Sequence, residues 1–266
     1  MSDALWRLED ADGIRLLRCA AIEEIPGVAH AFGTRVAFLG PQFDPDKTGD
    51  ATPDAGARRR SFLVAAGLGT LEPFTLRQIH GAVILDAVPC SGPHPEADGA
   101  FRTARSHPRT GVPVVSTADC VPLLLLDRSA AAVAALHAGW RGVAGGIAAK
   151  AVDRFAAEGI PAADLVVAMG PAIAGCCYQV GDDVVRALDA ACGGGATYVR
   201  RRPDGRTTVD LREALRAQLA RAGVPSPSTH VAPFCTRCRN DLFFSVRGEG
   251  PATGRQLSVI GPASGP

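Results

Sequence analysis

Between Val112 and Trp140 the chain reads "VPVVSTADCVPLLLLDRSAAAVAALHAGW". Two almost unbroken apolar runs flank a short Asp-Arg-Ser break. Each falls well short of a membrane span, and each is fit only for burial, so the pair predicts two buried strands joined as a hairpin. The ends of these runs are not apolar: a thiol follows Asp119 on one side, and an imidazole closes the other in "HAGWRG". With Arg128 and Ser129 as the loop, Asp127 faces Ala130, and counting outward places Cys120 opposite His137. Opposed Cβ atoms lie about 4.5–5.5 Å apart. A thiolate and an imidazole bound to one zinc sit about 2.3 and 2.0–2.1 Å from it, so the two geometries are compatible.

His80 ends the run "FTLRQI" much as His137 ends "VAAL". His80, Cys120 and His137 with one open position would make the ligand pattern of a catalytic zinc rather than a structural one. The bland alternative is a packed thiol and two hydrogen-bonded histidines. Arg141, just beyond His137, suits an anion clamp. Gly139 and Gly142 permit close backbone approach, or simply turn the chain into the next helix. "CTRC", Cys235 to Cys238, is a lone CxxC without a second pair, and adjacent Cys176 and Cys177 offer poor geometry for one tetrahedral site. No structural zinc is expected there. His30, His94, His107 and His230 read as ordinary histidines.

The remaining chain is mixed. "IRLLRCAAI", "VAHAFGTRVAFL" and "DLVVAMG" read as strands, and "FTLRQIHGAVILDAV" as strand, kink at Gly81, strand. "GVAGGIAAKAVDRFAAEG", "GDDVVRALDAAC" and "LREALRAQLARAG" read as helices, and "TYVRRRPDGRTTVDL" as a hairpin about Asp-Gly. "SGPHPEADGAFRTARSHPRTG" reads as a loop-rich excursion, and "FFSVRGEGPATGRQLSVIG" as two strands around a polar loop. Gly40 to Arg60 is Pro/Asp/Gly-rich and the expected mobile connection. Many neighbouring strands lack a helix between them, so a mixed α/β or α+β sandwich fits better than a regular parallel sheet. One domain over residues 1–266 is expected. A net charge of +1 gives no electrostatic case for nucleic acid or a membrane surface. The polar, acidic start is not a secretory signal. A cytoplasmic protein with mostly reduced thiols is expected.

Together "RQIHG", "ADG", "TADCVPLLLLD", "HAGWRG", "GPAIAGCCYQVG", "FFSVR" and "GR" resemble the laccase-domain (YfiH-type) family over most of the chain from His30 onward. The resemblance implies an α/β sandwich similar to the catalytic domain of cytotoxic necrotizing factor toxins. It implies zinc, with copper as the alternative, at His80, Cys120 and His137. It implies a purine nucleoside phosphorylase acting on a nucleoside and inorganic phosphate, with adenosine deamination as a side activity. A monomer or dimer is expected. Arg35, Gln78, Arg141 and Arg247 match family positions and are candidates for substrate binding. Asp119 would shuttle a proton or orient His80 or His137. This chain departs from the family at "VAFLGPQFDPDKTGD", at Gln179 in place of Glu, and in lacking a second Arg after Arg247. Those changes bear on substrate preference rather than on the triad. Rival readings are a cysteine hydrolase or peptidoglycan editing factor with Cys120 as nucleophile and His137 as base, and a non-enzymatic binding module. A copper polyphenol oxidase is disfavoured, because several copper sites need more than the six histidines present.

Overall fold

The computed structural model describes residues 5–35, 55–88, 94–105, 110–194 and 197–264. Most of the connection expected to be mobile, and the departure at residues 36–50, lie outside them. In chain order the strands are β1 (Trp6–Ala11), β2 (Ile14–Cys19), β3 (Val28–Gly33), β4 (Pro73–Phe74), β5 (Ile84–Asp86), β6 (Gly99–Thr103) and β7 (Val112–Thr117). They continue as β8 (Val121–Asp127), β9 (Ala132–Ala138), β10 (Leu165–Met169), β11 (Val199–Arg201), β12 (Thr207–Val209), β13 (Thr229–Val231) and β14 (Gln256–Pro262). One sheet has the order β1-β2-β3-β14-β7-β4 and a second β13-β10-β8-β9-β6-β5, while β11 and β12 pair alone. Most pairs are antiparallel, but β4–β7, β5–β6 and β10–β13 are parallel. The fold is therefore mixed α/β with several sheets.

Side-chain alternation along β8 explains its unbroken leucines. Leu124 and Leu126 join Leu17, Phe32, Val115 and Ile260 of the first sheet in one buried cluster. Leu123 and Leu125 face the other way, onto Val143, Phe155, Val185 and Leu215. Those four come from helices Trp140–Ala144, Ile147–Ala157, Asp182–Cys192 and Leu211–Arg221. The far side of the first sheet packs Leu16, Val114 and Val259 against Phe62 and Leu63 of helix Ala55–Ala65. The layers run helix, sheet, sheet, helices. A strand covered on both faces can be apolar at every position, and each such leucine contributes about 1.5–3 kcal/mol relative to exposure.

The hairpin register differs from the simple count by two residues. Leu126 pairs with Val133 and Pro122 with His137, so residues 128–131 form a four-residue loop. Asp127 builds it: one carboxylate oxygen accepts from Ser129 N at 2.9 Å and the other from Ala132 N at 2.7 Å, while Ala130 takes φ 58°. An Asx turn of this kind competes with a two-residue turn that Arg-Ser does not favour. A shift of two preserves which face each side chain occupies. It puts Gly139, rather than His137, across from Cys120.

Three smaller expectations change. "FFSVRGEG" is not a strand; Ser245 Oγ accepts from Gly248 N at 3.1 Å and starts the short helix Val246–Glu249, as a capping serine does. The loop-rich excursion contains β6. The strand before Gly81 shrinks to β4, and the kink begins at His80, whose φ is 57°. No helix among the described residues is long and apolar enough to cross a membrane.

Candidate metal centre and its cavity

β7 belongs to one sheet and β8 to the other, so Ala118 to Cys120 must carry the chain across in three residues. Asp119 makes the corner at φ 97°, a conformation rare for a residue with a side chain. Its carboxylate holds it there: Oδ1 accepts from Thr236 Oγ1 at 2.6 Å and Oδ2 from Arg247 N at 2.7 Å. Its backbone carbonyl accepts from Ile173 N at 2.9 Å. The corner aims the Cys120 thiol away from the sheet interface, towards the end of β9. There Gly139 has an ordinary φ of −76°, so glycine is required for room rather than conformation. A Cβ on Gly139 would lie 3.1 Å from Cys120 Sγ, 3.2 Å from His80 Nδ1 and 4.0 Å from His137 Cε1.

Asp98, fully buried just before β6, brings the third group in. One oxygen accepts from His80 N at 2.9 Å and from His137 Nδ1 at 2.8 Å, and the other accepts from Gly81 N at 2.5 Å. The same carboxylate thus fixes the left-handed turn at His80 and the ring of His137, leaving His137 Nε2 towards the thiol. Ligand atoms of His80, Cys120 and His137 all lie within 4.8 Å of one another. The imidazole rings meet edge to face, with centroids 4.7 Å apart.

Electrostatics reinforce the grouping. Burial alone would raise the Cys120 thiol, but the His137 charge and hydrogen bonds from His137 and His80 override it and bring it down to about 6. Burial would depress His137, yet the Cys120 thiolate and Asp98 push it up to about 10. Asp98 is held below its ordinary value, because the bonds from His137, Gly81 and His80 outweigh its burial. A thiolate facing an imidazolium is a pair whose shared proton a divalent cation can replace.

The triad opens on a cavity of about 310 Å³ whose wall includes Ile173, Tyr178, Arg141, Arg247 and Arg255. Arg141 stacks over Trp140 at 4.5 Å and Arg247 over Tyr178 at 4.9 Å, and Arg247 Nη1 also donates to Gln179 O at 2.9 Å. Three of the expected groups already have partners within the protein. Arg35 is not part of this wall: it pairs with Glu249 at 2.8 Å, donates to Asn240 O and lies over Phe244. Gln78 lines the cavity, but its amide spans Ser116, donating to the carbonyl and accepting from the N–H, both at 2.8 Å. Asp119 bonds neither histidine; Asp98 does that. Arg255 and Asp98 escaped sequence reading although "GR" and "ADG" were visible, since nothing local tells which loop acid or arginine turns inward.

Comparison with known proteins places this arrangement. Residues 44–263 match the family model for multi-copper polyphenol oxidoreductase laccase. Adenosine deaminase RL5, from an unknown prokaryotic organism, is 42% identical over 147 residues; the match spans 55% of this chain and 56%, little more than half, of that relative. A purine nucleoside phosphorylase of Deinococcus radiodurans is 35% identical over 260 residues, covering 94% of both chains. The crystal structure of YlmD from Geobacillus stearothermophilus superposes with a TM-score of 0.82 at 30% identity, covering 98% of this chain and 99% of that one. The chain belongs to the multi-copper polyphenol oxidoreductase laccase family, the laccase-like group that includes YlmD and YfiH.

Proposed function

We propose that the protein is a purine nucleoside phosphorylase whose zinc is held by His80, Cys120 and His137. The observation that carries this reading is a soft, three-ligand cluster opening directly on a cavity lined by arginines. One thiolate and two imidazoles suit zinc and leave a position for substrate. The room left by Gly139 lies where the ligand atoms converge. Bound there, zinc would supply a positive charge that polarises a substrate oxygen. Arg141 and Arg247 hold inorganic phosphate through their forked guanidinium groups. The phosphate oxygen forms a bond to C1′ of the nucleoside while the C1′–N9 bond breaks, its electron pair passing to the purine. The ribosyl group is oxocarbenium-like at the crest of that transfer. Asp119, with both oxygens engaged by Thr236 and Arg247, positions Arg247 rather than moving a proton.

The test is a panel of adenosine, inosine and guanosine with metal-replete protein, with and without phosphate, read by chromatography. Phosphate-dependent release of free base and ribose 1-phosphate is expected, and inosine formed from adenosine would register deamination. No phosphate-dependent release from any of the three refutes the reading. The chain Cys120–His137–Asp98 favours one second reading, a cysteine hydrolase with the thiolate as nucleophile. That enzyme would keep its activity after chelation and lose it on alkylation of Cys120.

A further inference from the structure

Away from the triad, four thiols from two loops converge. Cys176 and Cys177 follow the segment that lines the cavity with Ile173, and Cys235 and Cys238 close the turn that carries Thr236. The loops are zipped together at their base: Thr236 N donates to Ala172 O at 3.1 Å, and Ala172 and Cys235 form an isolated parallel bridge. Sγ of Cys238 lies 3.4 Å from that of Cys177 and 3.7 Å from that of Cys176. All four sulfurs lie within 4.8 Å of one another. Four thiolates about 2.3 Å from a tetrahedral zinc stand about 3.8 Å apart, close to the two distances measured from Cys238. A disulfide needs about 2.05 Å, and Cys238, near two partners, could bond to only one of them.

Cys235, buried, accepts from Ala174 N at 3.4 Å. Cys235 and Cys238 have the two-residue spacing common to structural zinc ligands. The other pair is adjacent in sequence, which looks unfavourable until the backbone is seen: a turn over residues 175–177 brings both sulfurs to Cys238.

We propose that Cys176, Cys177, Cys235 and Cys238 form a second metal centre, a closed four-thiolate zinc site distinct from the triad. Each thiol gives its proton to solvent as the metal binds. The site ties the loop that lines the cavity with Ile173 and Tyr178 to the loop that carries Thr236, the partner of Asp119, and leads to Arg247. With no open position, it is structural, and its effect on the cavity is to hold those loops in register.

This inference stands independently of the phosphorylase reading, and its test avoids the triad. In a Cys120→Ala background, purified under reducing conditions and loaded with zinc, about one zinc per chain should remain. Adding Cys238→Ser, at an exposed position, should remove it while circular dichroism still reports a folded chain. Should that variant fail to fold, cobalt(II) added to the metal-free Cys120→Ala protein should still give the intense visible bands of a tetrahedral four-thiolate site, and zinc should bleach them. No retained zinc, zinc retained after Cys238→Ser, absence of the cobalt bands, or a disulfide among these cysteines by mass spectrometry under the same conditions would each overturn the proposal.

Discussion

Asp98→Asn is the sharpest probe of how this site is assembled. The carboxylate accepts three hydrogen bonds on two oxygens, from His80 N, Gly81 N and His137 Nδ1. An asparagine of the same shape can keep its carbonyl where it serves His80 N and His137 Nδ1. Its NH₂ then faces the Gly81 N–H, donor against donor, across what was a 2.5 Å bond. Leaving one buried donor unpaired costs about 1–3 kcal/mol. Turning the amide over is worse, because NH₂ would then confront both His80 N and the His137 ring. That would drive the imidazole proton to Nε2, the nitrogen meant for the metal. Loss of a group that orients metal-binding histidines typically weakens metal binding about 10–100-fold. The turn at His80, left-handed at φ 57° and costing roughly 1–3 kcal/mol to hold, also loses part of its anchor. We therefore expect zinc affinity at the triad, measured by chelator competition in a Cys238→Ser background, to fall by about 10–100-fold. The metal-free protein should melt several degrees lower, at about 2–4 °C per kcal/mol for a chain of this size. Wild-type zinc affinity in a folded Asp98→Asn protein would refute the assignment of Asp98 as the organiser of the site.

Two further tests use other features. Gly139→Ala meets no backbone penalty at φ −76°, yet its methyl would lie 3.1 Å from Cys120 Sγ and 3.2 Å from His80 Nδ1. It should weaken metal binding at least tenfold, about 1.4 kcal/mol, by spreading the ligands, and an unchanged affinity by the same competition assay would contradict the packing argument. His30 is buried, accepts from Cys19 N at 2.8 Å, and is pushed down to about 3 by burial and by the Arg18 charge. Its folded pKa lies below the unfolded value of about 6.5, so the unfolded chain takes up the proton first. The stability it contributes is complete above about pH 6.5 and is lost as pH falls towards 3, at up to about 1.4 kcal/mol per pH unit. His30→Gln, which can still accept from Cys19 N, should flatten that limb of a urea-unfolding profile between pH 6.5 and 4, and an unaltered slope would show that other groups cause it.

The parts of this molecule legible in its sequence are those set by local pattern. β8 and β9 could be read because burial on both faces of a strand demands continuous apolar residues, and the hairpin between them survived a two-residue register error because parity, not exact pairing, decides which face a side chain occupies. Parity put Cys120 and His137 at the same end of the hairpin; that His80 joins them was implied by its place at the end of an apolar run and by the family resemblance. What escaped was whatever depends on where loops land. Asp98 looks like one acid among several in a Pro/Gly-rich stretch, and only the pairing of β6 with β9 brings it under His137. Arg35 shares its sequence neighbourhood with a family motif, yet the helix that carries Glu249 claims its charge first. The four cysteines show the point most clearly. Counted along the chain they are a lone CxxC and an awkward adjacent pair, but Ala172 pairs with Cys235 across more than sixty residues, and that one bridge makes a cluster out of two fragments. Ligand spacing along the chain therefore excludes a metal site only when both fragments lie in the same loop. Here tertiary pairing, supplied by the sheet that ends at β10 and β13, sets the geometry that the spacing alone appeared to forbid.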